Sequence, residues 1–558
     1  MTFAIDPGPL SPTLEHACRR LEQRRFCDAL WTRRLDVWSA DIDVQRTISN
    51  RLGWLDAVQT MRAHVPRLLA FADSIKHAHF TDVVLLGMGG ASLASEVLRA
   101  VVGVARGFPR FQILDSVDPD AVRTAMQRPA TTLFILASKS GSTIELASLA
   151  AEAQRRVRDT GIVEYGSHFI AITDRDTVLH QRAIDERFRD LFINPSDIGG
   201  RFSALSLFGL VPAAVMGIDI DGLLAPAQEM ADWCRIDDPR RNPGLALGAV
   251  IGAASLAGRD KLTLVLPARL ERFGLWAEQL VAESTGKHGK GVVPIVGDAC
   301  DVARGHDRIV IATTLGGAGD STPAERARTA EVPVFTVHVP DITALGAEFF
   351  RWEVATATAG WLLDLNPFDE PDVQRAKDAT RALLGTYATQ GRLPVPEPDV
   401  AIDGVRIVLT RAAKAALRDD ASPALLDLLR PGDYFGLLAY LPPDGERFLP
   451  TLERIRATVA ARSGCATMFG FGPRYLHSTG QLHKGGPNTG VFLMVTAEPS
   501  DDLAVPGAPY SFGVLELAQA VGDFDSLDRL ARRGVHLHLP NRDPALLQHI
   551  TDRILRGI

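Results

Sequence analysis

Nowhere does this chain approach the ~20 consecutive apolar residues that crossing a bilayer requires. Its first residues, Met1-Thr-Phe-Ala-Ile-Asp-Pro-Gly-Pro9, have neither the basic start nor the apolar core of a signal peptide. Both absences lead us to expect a cytoplasmic protein with no membrane partner. Cysteine is scarce and scattered: Cys18, Cys27, Cys234, Cys300 and Cys465 form no C-x-x-C pair. That excludes a disulfide framework or a zinc knuckle and fits a reducing compartment. None of the 14 histidines forms a His-x-x-x-His pair beside a carboxylate, so no metal and no cofactor is expected. An excess of basic charge is missing too. The net charge is -7 and the pI about 6.1, which excludes a chain built to coat nucleic acid. The Gly-x4-Gly-Lys-Ser/Thr spacing of a P-loop is also absent.

What is present is a globular composition, 46% hydrophobic and 23% charged, over 558 residues; at roughly 150 residues per domain that allows three to four units. Residues 1–75 read as an N-terminal helical segment. From 76 to 220 short apolar runs alternate with helical stretches, the rhythm of a parallel sheet covered on both faces. Its runs are Asp82–Leu86, Phe111–Asp115, Thr132–Leu136, His168–Ile172 and Phe192–Ile193. A helical connection, 221–258, leads to a second such unit at 259–500 with insertions, and a helix-and-strand segment, 501–558, closes the chain. The proline-rich run Leu393–Asp399 is the clearest linker. The expected class is α/β, two doubly wound parallel-sheet domains in a helical frame.

The stretch around which the rest is organised is Leu136-Ala-Ser-Lys-Ser-Gly-Ser-Thr-Ile-Glu145. It crowds Ser138, Ser140, Ser142 and Thr143, with Gly141, into a strand-to-helix turn. First-turn helix amides lack internal partners and carry the positive end of the helix dipole, so such a turn suits a phosphate. An ordinary N-cap reads the same way. The Gly87-Met-Gly-Gly90 turn, an incomplete dinucleotide fingerprint, is either a tight turn or a ligand contact.

Three further segments hold residues suited to proton chemistry. Asp197-Ile-Gly-Gly-Arg201-Phe-Ser203 sets an arginine behind two glycines. Gln279 and Glu283 stand at i and i+4 on one helix face. His477 and His483 bracket a turn in His477-Ser-Thr-Gly-Gln-Leu-His483-Lys-Gly-Gly-Pro-Asn488, and imidazole suits proton transfer near neutral pH. Arg351-Trp352-Glu353 reads as packing. Taken together, a phosphate cradle, an arginine, a Gln/Glu pair and a loop histidine suit a sugar phosphate undergoing proton transfer beside a carbonyl.

These motifs resemble those of the glucose-6-phosphate isomerases, specifically the isomerase half of bifunctional transaldolase/phosphoglucose isomerase proteins. The resemblance runs nearly end to end, through Asn50–Asp56, Leu86–Gly90, Ala137–Gly141, Asp197–Ser203, Ala282–Lys287, Gly346–Glu353, Asn366–Asp369 and His477–Asn488. It implies two sugar isomerase (SIS) domains with the site between them. It also implies reversible conversion of glucose 6-phosphate and fructose 6-phosphate through a cis-enediolate, in glycolysis and gluconeogenesis. By match, Ser138, Lys139, Ser140, Ser142 and Thr143 would hold the phosphate, while Gly90, Ala91 and Gln279 would contact the sugar. Glu283 would be the base, Arg201 would face the enediolate and His483 would open the ring, with His477 as the alternative. Two departures are expected to matter: Ala91 where the family has serine, and Glu516 where it has a lysine, with Lys484 as a substitute cation. The resemblance allows a homodimer, and transaldolase activity is not expected. A sugar-phosphate sensor of the same fold and an isomerase of another sugar phosphate are the alternatives.

Overall fold

In the computed structural model, which describes residues 2–297, 302, 305–319, 321–417, 424–443 and 445–556, the apolar runs between 82 and 193 form a five-stranded parallel sheet. Cys300 lies outside the described residues. The strand order is Arg110–Leu114, Asp82–Gly87, Thr132–Ala137, Phe169–Thr173, Asp190–Ile193. Successive side chains on a strand point to opposite faces, and both faces are covered here. Val83, Leu85, Leu133 and Ile135 face the helices of the large core, while Val84, Leu86, Phe134 and Leu136 face a second core on the other side. That double burial is why these strands read as unbroken apolar runs rather than as alternation.

A second five-stranded sheet has the order Thr2–Asp6, Val334–Val339, Arg308–Leu315, Lys261–Val265, Val293–Val296. Its last four strands run parallel, and Thr2–Asp6 adds to one edge antiparallel. Between the two sheets the buried helices Leu207–Val215, Pro243–Leu256 and Leu345–Leu362 share one core with the N-terminal helices. Arg351 is buried there against Glu348 at 3.3 Å. These two mostly parallel sheets wrapped in helices make an α/β fold of the SIS type.

The strands after the proline-rich linker do not enlarge the second sheet. They build a third, six-stranded one, ordered Val400–Ile402, Val405–Leu409, Arg533–Leu539, Gly490–Ala497, Tyr434–Tyr440, Ala466–Phe471. It takes strands from both sides of residue 500; one face has a core of its own, and the other packs in a core shared with Ala282, Val293 and Ile295 of the second unit. Its first two strands form a hairpin closed by Asp403 and Gly404, with φ of 51° and 81°, the left-handed pair that a tight hairpin turn requires. Among the described residues, no helix is long and apolar enough to cross a membrane.

Candidate functional site

In the first sheet the strands Asp82–Gly87 and Thr132–Ala137 are neighbours, and the chain leaves them towards opposite edges of the sheet. Ligands of open α/β sheets bind outside the strand carboxyl ends at such a reversal. The turns after these two strands, Gly87–Ser92 and Ser138–Thr143, border a cleft of about 520 Å³. Its far wall is the Glu271–Thr285 helix, the Gly200–Phe202 turn and the Arg474–His477 turn.

The hydroxyl turn is internally organised. Ser138 Oγ accepts from the amide of Gly141 at 3.1 Å and lies 3.1 Å from Thr143 Oγ1, and Ser142 Oγ donates to Ser140 Oγ at 3.1 Å. Gly141 has φ +66°, and a Cβ there would meet the Leu179 amide at 2.8 Å, so no other residue fits the bend. Thr143 stands at the N-cap of the Ile144–Asp159 helix but makes no side-chain cap bond to the first-turn amides. Ser138, Ser140 and Thr143 line the cleft; Ser142 lines a smaller adjoining cavity of about 170 Å³ together with Ser140 and Thr143. Lys139 lines the cleft, yet its ammonium is engaged by Asp174 Oδ2 at 2.5 Å and the Ser196 carbonyl at 2.7 Å.

Both glycine turns are instruments of close packing. A Cβ on Gly89 would meet the His477 carbonyl at 2.3 Å, and one on Gly90 would meet the Gly200 carbonyl at 2.2 Å. This brings Gly90 and Ala91 onto the cleft wall beside Arg201. The Asn50–Asp56 segment props the same region. Leu52 bridges Ile198, Gly53 donates to the Asp197 carbonyl at 2.9 Å, and Arg51 reaches the cleft.

Arg201 is buried, with its donors divided among fixed acceptors. Nε donates to Ser284 Oγ at 2.8 Å, and Nη2 to the carbonyls of Pro367 at 2.8 Å and Asp369 at 2.9 Å. Nη1 lies 2.9 Å from Glu370 Oε2 and 3.4 Å from Glu283 Oε1. Burial pushes the Glu283 carboxyl above its ordinary value, while Arg201 pulls the other way. Gln279 Nε2 donates to Glu283 Oε2 at 3.0 Å and to the His477 carbonyl at 2.8 Å. One amide thus ties together the Gln279/Glu283 helix face and the histidine turn.

The structure separates the two histidines. His477 lines the cleft, and its Nε2 lies 2.8 Å from Glu145 Oε1. Glu145 also accepts from Gln519 Nε2 at 2.7 Å. Burial pushes Glu145 upward, but His477 beside it and these hydrogen bonds hold it below the ordinary carboxylate value. His483 does not line the cleft. It is buried on the short Gly480–Gly485 helix with Nδ1 3.1 Å from the Tyr434 hydroxyl. Its neighbour Lys484 is equally unable to serve the cleft, because its ammonium is buried 2.6 Å from Asp523. Glu516 is also remote, buried 3.7 Å from Arg542; the residue of its helix that reaches the site is Gln519. Lys377, on the Val373–Gln390 helix, lines both the main cleft and the adjoining cavity, and Arg51 and Arg175 also line the main cleft.

Sequence reasoning therefore missed Glu145, Gln519, Lys377, Glu370 and Arg51. Glu145 carried a signal, since it closes the hydroxyl stretch, and Glu370 follows Asn366–Asp369 directly. Lys377 and Gln519 sit in ordinary amphipathic helices and carried none.

A family model described as phosphoglucose isomerase matches residues 58–306. The chain is 31% identical over 363 residues to the probable glucose-6-phosphate isomerase of Haloarcula marismortui, covering 57% of this chain and 81% of that protein. It is 30% identical over 382 residues to the glucose-6-phosphate isomerase of Rubrobacter xylanophilus, covering 58% of this chain and 87% of that one. In fold it is similar to a hypothetical protein from Thermus thermophilus, with a TM-score of 0.58 at 24% identity over 68% of this chain and 99% of the other. A glucose-6-phosphate isomerase from Chlamydia trachomatis gives 0.50 at 20% identity, over 60% of this chain and 74% of the other.

Proposed function

This chain belongs to the phosphoglucose isomerase family, and we propose that it interconverts glucose 6-phosphate and fructose 6-phosphate by moving a proton between C2 and C1. The observation that carries this reading is the convergence of Glu283, Arg201, Gln279 and the His477–Glu145 pair on one cleft whose other end is the Ser138–Thr143 turn.

The phosphate binds at the N-terminus of the Ile144–Asp159 helix, held by the first-turn amides and by the hydroxyls of Ser138, Ser140 and Thr143, with Lys377 as the counter-charge. Anchored there, the sugar presents its reacting carbons to Glu283, and binding energy remote from those carbons supplies orientation. His477, held by Glu145, moves the proton that opens the ring. Glu283 as carboxylate then takes the proton from C2 and returns it at C1. Its elevated basicity suits that work, because an efficient general base titrates closer to the working pH than a solvated carboxylate does. The enediolate left behind carries negative charge next to Arg201, whose guanidinium is already oriented and needs no reorganisation. Ala91 contributes its backbone only.

The test is to incubate purified protein separately with each of the two sugar phosphates and follow the mixture by NMR. Approach to one common equilibrium from both sides supports the reading. Binding of both without conversion of either contradicts it.

A further inference from the structure

Arg201 meets two carboxylates at the same nitrogen in the cleft. Its Nε and Nη2 are committed to Ser284 and to two backbone carbonyls, so the guanidinium cannot rotate. Nη1, with two N–H groups, faces both carboxylates at once and sits closer to Glu370, at 2.9 Å, than to Glu283, at 3.4 Å. Glu370 lines the cleft with its side chain 40% exposed, whereas the Arg201 side chain is 3% exposed. A carboxylate that pairs tightly with an arginine has its negative charge spent there and becomes a poor base. A second carboxylate on the same nitrogen offsets part of the guanidinium's positive charge and adds a like charge beside the first.

We propose that Glu370 is a positioning residue, which by sharing Nη1 of Arg201 keeps Glu283 loosely paired and able to accept a proton. The role rests on the proposed isomerase chemistry, in which Glu283 is the base.

The charged surroundings agree. Facing Glu283 are Arg201 from the Gly200–Phe202 turn, Glu370 from the segment after Asn366, and His477 from the Arg474–His477 turn; Gln279 is the neutral neighbour on its own helix. Lys377 lines the same cleft. Of these, Arg201 and His477 favour the carboxylate form of Glu283, while burial and Glu370 favour the protonated form. Glu370 itself is raised by burial but held below the ordinary carboxylate value by Arg201, Arg51 and Lys287. It therefore remains charged over the range in which Glu283 titrates.

The experiment compares the wild type with Glu370→Gln and Glu370→Asp. Removing the charge leaves Glu283 as the one carboxylate offsetting Nη1 of Arg201 and takes a like charge away from beside it. The acid limb of the kcat/KM profile should then move down by about one pH unit in Glu370→Gln, with a lower plateau, and should stay near the wild-type position in Glu370→Asp. In parallel, a ¹³C carboxyl titration, with the Glu283 signal assigned from Glu283→Gln, should show the same downward move without needing turnover. If the protein turns over neither sugar phosphate, the isomerase reading fails, and the titration still decides whether Glu370 tunes Glu283. A Glu283 titration and acid limb unmoved in Glu370→Gln, in protein with the wild-type unfolding midpoint, would overturn the proposal.

Discussion

His477 and His483 stand six positions apart in one glycine-rich segment, yet they inhabit opposite environments. His477 ends a short turn on the cleft wall, paired with the buried carboxylate of Glu145. His483 points into the third sheet's core, hydrogen-bonded to a tyrosine and pushed well below the ordinary imidazole value by burial and by the cations Lys484 and Arg532. What separates them is the Gly480–Gly485 helix, which turns the second histidine inward. The difference teaches that a histidine's chemistry follows from its partner and its burial, and spacing along the chain reports neither.

Four substitutions sharpen that contrast. Glu283→Gln removes the proposed base from the cleft that His477 faces and should lower kcat about 10³–10⁴-fold, measured by coupled assay with fructose 6-phosphate. His477→Gln should cost about 10²-fold in turnover of the cyclic sugar, and less when ring opening is bypassed with an open-chain analogue. Lys377→Ala should raise KM about tenfold with kcat little changed, because it loses a charge-assisted contact to the phosphate. His483→Gln should leave kcat within about twofold.

The effect of His483→Gln belongs to stability instead. The folded state keeps His483 neutral, whereas the unfolded chain protonates it near pH 6.5. The wild type is thus fully stabilised above that pH and loses about 1.4 kcal/mol per pH unit for this proton as pH falls below it. Urea unfolding of His483→Gln across pH 5–7 should show a correspondingly shallower dependence. His536, which burial and His538 push down to about 3, keeps its own share of the slope.

The two SIS sheets were legible because strands buried on both faces leave unbroken apolar runs and their helices repeat at helical spacing. The hydroxyl turn and the Gln279/Glu283 face were legible because their neighbours in space are also neighbours in sequence. The third sheet was harder to see as a separate body. Its strands look like those of the second, and the residues that fill the cores on its faces, such as Phe435 and Phe492, are ordinary apolar positions. The short exposed hairpin at Asp403-Gly404 lacks a long apolar run. Lys377 and Gln519 were invisible because a helix position joins a site only through what the fold sets against it: one lines the cavities that the Ser138–Thr143 turn borders, the other meets Glu145 374 residues away.

The fate of the hydrogen on C2 tests the account most directly. Glucose 6-phosphate carrying deuterium at C2 is incubated with wild-type protein and with Glu283→Gln in ordinary water. Proton transfer through Glu283 predicts that wild-type turnover takes the deuterium off C2, to C1 of the product or to the solvent, and that Glu283→Gln leaves it at C2. Loss of deuterium from C2 with Glu283→Gln at a rate within tenfold of the wild-type rate would contradict the account.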